Sequence, residues 1–418
     1  MSLLRTLCAR RGDPGGIEGR GGALTGWHDV CAAAEGRAEA LAGLAGRSVW
    51  VHGEDAAALV AALAALDGMG AAAVLARPGG RAGPAPDGHV VLDADLMRLD
   101  GAAVAEPGPA HSVGVHSSGT TGRPRLVRWP WDALAAGAQG AATRGGRWIS
   151  HYPADTFAGL QALLFGLVAA DRLALAGPHV RFADAAGWGG GEAGTVRVAM
   201  ATPTFWRREL LQAPAPDAAV QTLSMGGEPA TQSLLDGLRE RFPAARLVHV
   251  YASSELGSLF GVSDGRAGFP AAWLDRPRRG GAVLSLLDGQ LHVAPAQGEP
   301  AVPTGDAMRV EGDRVVFAGR VGGAINVGGR KVDGLRVAEV LRGAPGVSDA
   351  RVYAIGSAIT GQLVAADLVL AGGGALDRAR DAIMAHCRSR LEVHEQPRRL
   401  RAVREVAVTA AGKEAPGG

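Results

Sequence analysis

The chain has 418 residues, a formal net charge of +2 and a hydrophobic fraction of 47%. This length exceeds one ordinary domain, so we expect two or more domains with substantial apolar cores. The nearly balanced charge, without a long basic run, argues against a nucleic-acid partner. The 63 glycines and 23 prolines stay below the share that indicates low-complexity disorder.

The cysteines are widely spaced: Cys8, Cys31 and Cys387 form no C-x-x-C pair. This spacing predicts a reducing compartment, with neither a disulfide framework nor a zinc site. The N-terminus has no apolar core long enough for a signal peptide. The longest apolar stretches, Ala56–Leu66 and Leu160–Ala170, are too short to span a bilayer. We therefore expect a soluble, cytoplasmic protein without a membrane span.

The first hundred residues alternate predicted helices with predicted strands. Asp55 is placed to cap a helix that runs to about Leu66. The other predicted elements are a helix at Trp27–Leu44 and strands at Ser48–Gly53, Ala71–Ala76 and Val90–Leu92. Such alternation predicts a layered α/β domain.

A turn rich in hydroxyl groups and glycine follows. Glycine lets backbone N–H groups approach an anion, while hydroxyls and the arginine at position 125 add donors and positive charge. The strand-like segments Val113–Val115 and Leu126–Trp129 flank the turn and predict a hairpin tip suited to a polyphosphate. Composition alone allows a plain polar turn equally well. The turn comprises Ser117, Ser118, Gly119, Thr120, Thr121, Gly122, Arg123, Pro124 and Arg125.

Helices and strands alternate again up to residue 241. The strongly apolar helix Phe157–Ala170 is typical of a buried core element. Leu223–Gly226 is a strand that ends in a G-G-E-P turn, a weak signal by itself. The remaining predictions are helices at Asp132–Arg144, Phe205–Leu211 and Leu234–Arg241 and strands at Trp148–Tyr152 and Val196–Thr202.

The C-terminal third begins with an apolar strand that runs into a polar segment, Tyr251–Glu255. A hairpin is predicted at Gly281–Val293, then a T-G-D turn and a strand at Arg314–Phe317. The glycine-rich run 319–332 does not follow a strand and open a helix, so a dinucleotide-binding loop is disfavoured.

Residues 333–418 predict a small α+β unit. Its elements are a helix at Val337–Arg342, in which Glu339 faces solvent, strands at Ser348–Ile355 and Leu363–Leu370, and an amphipathic helix at Leu376–Leu391. Lys413 follows in a G-K-E segment, and in isolation it would be an ordinary terminal lysine.

Taken in order, these segments resemble the motifs of the AMP-forming adenylating enzymes: acyl-CoA synthetases, adenylation domains of peptide synthetases and luciferase-like enzymes. The resemblance implies a large N-terminal domain of layered sheets and helices, residues 1–319, shortened at its start, and a small mobile α+β domain, residues 320–418. The matching segments are S-S-G-T-T-G-R-P-R at 117–125, G-G-E at 226–228, Y-A-S-S-E at 251–255, T-G-D at 304–306, the glycine-rich run at 319–332, and T-A-A-G-K at 409–413.

The resemblance also implies roles. Glu255 would hold Mg²⁺, Arg125 would contact phosphate where the family usually has lysine, and Lys413 would bridge the acid and the α-phosphate. Gly322 would be the hinge, where the family has aspartate or lysine. The residues implied to bind nucleotide are Ser117, Ser118, Gly119, Thr120, Thr121, Gly122, Gly226, Gly227, Glu228, Tyr251, Ala252, Ser253, Ser254, Asp306 and Arg320.

The acid pocket is assigned by the same resemblance to Tyr152, Thr156, Phe157 and Gly159. Thr156 stands where peptide-synthetase adenylation domains usually carry the aspartate that binds an α-amino group. A fatty, aromatic or polyketide-type carboxylic acid is therefore expected rather than an α-amino acid. The thiol side is assigned to Gly328, Gly329 and Lys331.

The expected activity is ATP-dependent conversion of a carboxylic acid to an acyl-adenylate, with release of pyrophosphate, followed by transfer to coenzyme A. Two alternatives stay open: loading of a carrier-protein phosphopantetheine thiol, and a non-catalytic nucleotide-binding homologue. The expected ligands are ATP, Mg²⁺ and coenzyme A or an acyl carrier protein, and the sequence leaves a homodimer open.

Overall fold

The computed structural model describes residues 2–75, 90–95, 98–100, 109–117, 125–134, 144–188, 195–212, 219–278, 281–409 and 411–415. The chain packs as two compact units. Unit 1 comprises residues 1–202, 213–227 and 242–258, and unit 2 comprises residues 203–212, 228–241 and 259–418. The predicted domain boundary at 319/320 coincides with no limit of these units, and it stays a prediction.

Unit 1 contains two sheets and the helices that cover them. Its helices are α1 (Leu3–Cys8), α2 (Trp27–Ala40), α3 (Ala56–Gly68), α4 (Phe157–Ala169) and α5 (Phe182–Ala186). Its strands are β1 (Gly16–Glu18), β2 (Leu24–Gly26), β3 (Ser48–His52), β4 (Ala72–Leu75), β5 (Val90–Asp93), β6 (Arg98–Asp100), β7 (Ser112–Ser117), β8 (Arg125–Pro130), β9 (Arg147–Ser150), β10 (Arg172–Leu175), β11 (Val196–Ala201), β12 (Val220–Gly226) and β13 (Arg246–Ser253).

Both sheets are mainly parallel. The first has the order β6-β5-β3-β4-β7-β8, with β6 and β8 antiparallel to their neighbours. The second runs β13-β12-β11-β9-β10-β1-β2, with only the β1–β2 pair antiparallel along this stretch. All four side chains of β4 are buried, as expected for a parallel strand covered on both faces. The predicted layered α/β architecture is confirmed.

Local sequence explains the start of α3. The Asp55 carboxylate accepts a hydrogen bond from the backbone N–H of Ala58, so it caps the helix as predicted. The helix then buries almost its whole surface, because alanine, leucine and valine occupy nearly every position. Its side chains belong to a core shared with α2 and α4.

The prediction of no disulfide is wrong. Cys8, at the end of α1, is bonded to Cys31 in α2, and their Cα atoms lie 5.3 Å apart. The two cysteines are separated by 23 residues in the sequence, and it is the packing of α1 against α2 that brings them together. Cys387 is a buried free cysteine.

Unit 2 combines short helices, an antiparallel sheet and a small α+β layer. Strand β14 (Gly257–Val262) starts in unit 1 and ends in unit 2. The helices are α6 (Pro203–Leu210), α7 (Gln232–Arg241), α8 (Gly334–Arg342) and α9 (Leu376–Arg388). The later strands are β15 (Phe269–Pro270), β16 (Val283–Leu287), β17 (Gln290–Ala294), β18 (Val302–Glu311), β19 (Arg314–Arg320), β20 (Ile325–Val327), β21 (Arg330–Val332), β22 (Val347–Ser357), β23 (Gly361–Leu370) and β24 (Arg399–Ala402).

Strands β15-β19-β18-β17-β16 form an antiparallel sheet in that order. Strands β21-β20-β23-β22 form a second sheet, and β24 pairs in parallel with β23. Helices α8 and α9 contribute Val337, Leu341 and Ile383 to the core over this sheet. The small α+β unit predicted from residue 333 onwards is confirmed.

One predicted helix is described only in part, one predicted strand is shorter than expected, and one glutamate has partners. The expected helix at Asp132–Arg144 is described only over residues 131–134, which are helical, and the rest lies outside the described residues. The predicted strand at Trp148–Tyr152 ends at Ser150. Glu339 does not simply face solvent, because its carboxylate accepts hydrogen bonds from Ser233 and Arg342.

Among the described residues, every helix is too short or too polar to span a bilayer.

Candidate active site

Strands β7 and β8 form the predicted hairpin. They pair in antiparallel fashion along their whole length, and Ser117 opposes Arg125 at the end next to the turn. The intervening residues of the hydroxyl-rich turn, Ser118 to Pro124, lie outside the described residues. Arg125 is exposed directly after the turn, where a phosphate could reach its guanidinium group.

The stem of this hairpin is tied to the segment that follows β13. The indole N–H of Trp129 donates to the backbone carbonyl of Ser254 over 2.7 Å. Gly257 has a φ of +77°, which favours glycine, and a Cβ there would contact the Trp129 ring at 3.4 Å. The structure thus brings the stem of the phosphate-type hairpin and the Y-A-S-S-E segment together within unit 1. The sequence predicts Trp129 only as part of the strand after the turn, and its bond to Ser254 joins residues too far apart in sequence for that pattern to indicate it.

Glu255 has an exposed carboxylate at the end of the Y-A-S-S-E segment. The Ser254 hydroxyl donates to one of its oxygens over 3.0 Å, and the Ser253 hydroxyl accepts from the backbone N–H of Leu256. Ser253 therefore stabilises the turn, while Glu255 keeps oxygen acceptor sites open to solvent. A hard carboxylate oxygen of this kind fits Mg²⁺ that is shared with substrate phosphates.

Tyr152 and Gly226 form a second junction in unit 1. The buried Tyr152 hydroxyl lies 2.6 Å from the Ala201 carbonyl and 3.3 Å from the Gly226 carbonyl. These carbonyls end the neighbouring strands β11 and β12. Gly227 follows with a φ of +84°, which favours glycine. Tyr152 thereby fixes the backbone predicted to lie beside adenine.

The predicted acid-pocket residues cluster at the start of α4. Thr156 caps the helix, because its hydroxyl accepts from Gly159 N–H and donates to the Pro153 carbonyl. A Cβ on Gly159 would lie only 1.8 Å from that carbonyl oxygen, so only glycine fits. Phe157 packs against Trp129 with ring centroids 5.9 Å apart.

In unit 2, Asp306 and Arg320 are paired across strands β18 and β19. The Arg320 guanidinium lies 2.8 Å from a carboxylate oxygen of Asp306, and it also donates to the Thr304 carbonyl. Asp306 is buried, whereas Arg320 is largely exposed. The T-G-D segment therefore lies within β18, not in a turn, and it forms one charged cluster with Arg320 at the end of β19.

Lys413 belongs to the same part of unit 2. Burial lowers its pKa below the ordinary lysine value of 10.5, the charge of Glu228 opposes this shift, Arg320 adds to it, and Asp306 opposes it. Lys413 is therefore within electrostatic range of three residues that the sequence placed in the nucleotide site. A half-buried ammonium group interacts with a nearby anion more strongly than one in bulk water does, because the local dielectric is lower.

The Glu228 carboxylate is hydrogen-bonded within the protein. It accepts hydrogen bonds from the backbone N–H and hydroxyl of Thr204 and from the backbone N–H of Glu414. It thus joins the start of α6 to the residue after Lys413. Its predicted contact with nucleotide stays a prediction.

The predicted hinge and thiol-side residues follow Arg320. Gly322 has a φ of +80°, and no heavy atom lies within 4 Å of where its Cβ would be. Gly328 and Gly329, both with positive φ, form the turn between β20 and β21, and Lys331 is exposed beside it. Backbone freedom at these glycines permits a hinge and a close approach by a ligand.

The layered α/β architecture with a small C-terminal α+β sheet, and the S-S-G-T-T-G, Y-A-S-S-E, T-G-D and G-K segments in that order, match an adenylate-forming enzyme. The family described as AMP-binding enzyme matches residues 104–299, and its C-terminal domain matches residues 336–413. The chain therefore belongs to the AMP-forming adenylating enzymes, a class of ligase, as its motifs predicted.

Solved structures show the same fold. An anthranilate CoA ligase, AuaEII, in complex with anthranoyl-AMP superposes with a TM-score of 0.80 at 18% identity, over 99% of this chain and 95% of that one. A benzoate CoA ligase from Burkholderia xenovorans gives 0.78 at 17% identity, with 99% and 98% covered. ATP-bound MatB from Rhodopseudomonas palustris gives 0.77 at 17%, with 99% and 97% covered. No curated protein matches the sequence significantly.

Proposed function

We propose that the protein activates a carboxylic acid with ATP, releases pyrophosphate, and transfers the acyl group from the adenylate to the thiol of coenzyme A. The main support is the position of Lys413, which is half-buried and under the electrostatic influence of Asp306, Glu228 and Arg320. A lysine there suits a reaction between two anions better than it suits a structural role.

In the first step, a carboxylate oxygen attacks the α-phosphorus of ATP. The new P–O bond forms as the bond to the bridging oxygen breaks, and pyrophosphate leaves. Charge repulsion dominates the barrier, so fixed positive charge near the in-line oxygens lowers it. Lys413 supplies that charge between the carboxylate and the α-phosphate, and Arg125 with the hydroxyl-rich turn binds the outer phosphates.

Mg²⁺ fits the exposed carboxylate of Glu255, one oxygen of which accepts a hydrogen bond from the Ser254 hydroxyl. When bound, Mg²⁺ neutralises phosphate charge. Glu255 provides the oxygen ligand, and the Ser254 hydroxyl orients that carboxylate by its 3.0 Å hydrogen bond. Asp306 accepts hydrogen bonds from the two ribose hydroxyls, which is a geometry that a carboxylate favours.

In the second step, the thiol sulfur attacks the acyl carbon. The C–S bond forms, the bond to the phosphate oxygen breaks, AMP leaves, and the thiol proton passes to solvent. We place Gly328, Gly329 and Lys331 on the thiol side. Residues 320–418 rotate about Gly322 between the steps, and the open surroundings of Gly322 support this hinge.

An aromatic carboxylic acid is the substrate class to test first. Thr156 carries no charge that could pair with an α-ammonium group. Its hydroxyl is used in capping α4, where it donates to the Pro153 carbonyl and accepts from the Gly159 N–H. Phe157 and Trp129 provide an aromatic pair beside that helix start. Structural relatives that are named as anthranilate and benzoate CoA ligases agree with this choice.

The test separates the two half-reactions. Lys413→Ala should abolish acid-dependent adenylate formation but spare thioester formation from a supplied acyl-adenylate. Lys331 is the other lysine of this chain. Lys331→Ala should spare adenylate formation but reduce thioester formation from a supplied acyl-adenylate. Equal loss of both half-reactions in Lys413→Ala would refute the assignment. Parallel assays with coenzyme A and with a phosphopantetheinylated carrier protein identify the acceptor.

A further inference from the structure

Lys413 sits in a tight turn near the end of the described chain. The backbone N–H of Thr409 donates to the Lys413 carbonyl over 2.7 Å, and the Lys413 N–H donates to the Thr409 hydroxyl over 3.2 Å. Val408 and Glu414 form an antiparallel bridge on either side. The position of the lysine backbone is therefore fixed by whatever holds this turn.

Glu414, the next residue, is held by three contacts. Its backbone N–H donates to Glu228 over 2.7 Å. Its carboxylate oxygen Oε2 accepts from Arg207 over 3.1 Å and from Arg342 over 3.2 Å. One carboxylate thus lies between two arginines that come from different helices, α6 and α8.

Both arginines are buried and have other partners. The side chain of Arg342 is 9% exposed and also donates to Asp349, Glu339 and the Ala350 carbonyl. The side chain of Arg207 is 11% exposed and also donates to the Thr204 hydroxyl. These further hydrogen bonds fix the positions of the two arginines between which Glu414 lies.

Several carboxylates offset the burial and mutual repulsion of these arginines, and Glu414 accepts hydrogen bonds from both of them. Burial lowers the pKa of Arg207, and the neighbouring positive charge of Arg342 lowers it further. Burial raises the pKa of Glu414, and the two arginines oppose this shift. Removing the Glu414 carboxylate would leave Arg342 with Asp349 and Glu339 but would take from Arg207 the carboxylate that it contacts. Losing one partner of a largely buried ion pair costs more than losing a surface pair.

These contacts connect the two sides of the proposed hinge inside unit 2. Arg207 and Glu228 precede Gly322 in the chain, whereas Arg342 and Glu414 follow it. A rotation about Gly322 that withdraws Lys413 must therefore separate Glu414 from Arg207 and Glu228.

Building on the proposed function, we propose that Glu414 is a positioning residue whose carboxylate, shared between Arg207 and Arg342, holds Lys413 in place for adenylate formation. We call Arg207, Arg342 and Glu414 the Glu414 latch. The latch favours the first half-reaction and opens for the second. Glu414 acts through the lysine turn and touches no reacting atom.

The test is Glu414→Gln, which keeps the shape and removes the charge. The rate of acid-dependent ATP–pyrophosphate exchange at saturating substrate should fall by about 10- to 100-fold, because small misplacement of a catalytic group costs that much. Thioester formation from a supplied acyl-adenylate should stay within about twofold of wild type. A purely structural lesion would instead reduce both half-reactions together.

The matched control is Glu405→Gln. Glu405 pairs with Arg208 over 3.4 Å, so it joins the same helix α6 to the same C-terminal segment, but this pair is exposed. Its loss should change neither half-reaction by more than about twofold, as for most surface ion pairs. Arg207→Lys, which keeps the charge but loses the guanidinium fork, should reproduce the Glu414→Gln pattern more weakly.

Hydrogen exchange gives a readout that needs no substrate. Glu414→Gln should speed exchange at the amides of residues 411–415 relative to wild type and to Glu405→Gln. Suppose that wild type catalyses ATP–pyrophosphate exchange. If Glu414→Gln then matches wild type in both the rate of that exchange and the rate of amide hydrogen exchange, the latch is refuted. If wild type catalyses no ATP–pyrophosphate exchange with any acid, the proposed activity is refuted. Amide hydrogen exchange then still tests whether Glu414 holds the lysine turn.

Discussion

The indole of Trp129 and the backbone carbonyl of Ser254 are hydrogen-bonded across 125 residues of sequence. Trp129 ends the hairpin that carries the hydroxyl-rich turn, and Ser254 precedes the predicted magnesium ligand Glu255. The bond therefore fixes the spacing between the two segments that are expected to hold the phosphates.

Trp129→Phe should weaken the binding of Mg–ATP. The change keeps a ring against Phe157 but removes the N–H donor, a loss of about 0.5–1.5 kcal/mol. We expect the KM for ATP to rise several-fold in pyrophosphate exchange.

Trp148→Phe is the control for this change, because Trp148 makes an equivalent indole bond to the Gly145 carbonyl elsewhere in unit 1. It should lower the melting temperature without changing the KM for ATP. An equal rise in KM for both variants would show a general loss of stability.

Asp306→Asn should remove recognition of the ribose. A hydrogen bond to a charged group contributes about 1.5–3 kcal/mol, so the KM for ATP should rise by about tenfold or more. Wild type should discriminate against 2′-deoxy-ATP, and the variant should lose most of that discrimination. Asp313→Asn, at an exposed aspartate paired with Arg266 in the same unit, should leave both quantities unchanged.

The pH dependence of adenylate formation should report Lys413. Because burial lowers its pKa, Lys413 loses its proton at a lower pH than an exposed lysine does. The positive charge is complete below that pKa and disappears as the pH rises through it. The rate of the first half-reaction should therefore fall on the alkaline side with an apparent pKa below 10.5.

The second half-reaction, measured with a supplied acyl-adenylate, serves as the comparison for this profile. Since Lys413 is withdrawn in that step, its alkaline limb should not follow the same pKa. Identical limbs in the two profiles would argue against assigning the titration to Lys413.

Gly159→Ala should disrupt the start of α4. The added methyl group would lie 1.8 Å from the Pro153 carbonyl oxygen, so the turn must shift, at a cost of about 1–3 kcal/mol. We expect a lower melting temperature and a raised KM for the carboxylic acid. Gly36→Ala, at an exposed position of α2 with no neighbour within 4 Å, should instead stabilise the protein by about 0.5–1 kcal/mol.

Local patterns predicted much of this fold. Asp55 before an apolar run indicated the cap and course of α3, and the segments flanking the hydroxyl-rich turn indicated the β7–β8 hairpin. Both features depend on residues close together in sequence. The order of the motifs then identified the family, which a single motif could not.

Contacts between distant residues could not be predicted in this way. The Cys8–Cys31 bond depends on how α1 packs against α2, and no spacing rule indicated it. Glu414 next to Lys413 gave no signal, because its arginine partners come from α6 and α8. Glu339 was misplaced for the same reason, since Ser233 lies on another helix.

Acid-dependent exchange of labelled pyrophosphate into ATP, measured on the purified wild-type chain with a panel of aromatic carboxylic acids, tests the central claim most directly. We predict exchange that requires both Mg²⁺ and one class of acid, and that Lys413→Ala abolishes. ATP binding without exchange for any acid, fatty and polyketide-type acids included, would contradict the account and identify a nucleotide-binding homologue without catalytic activity.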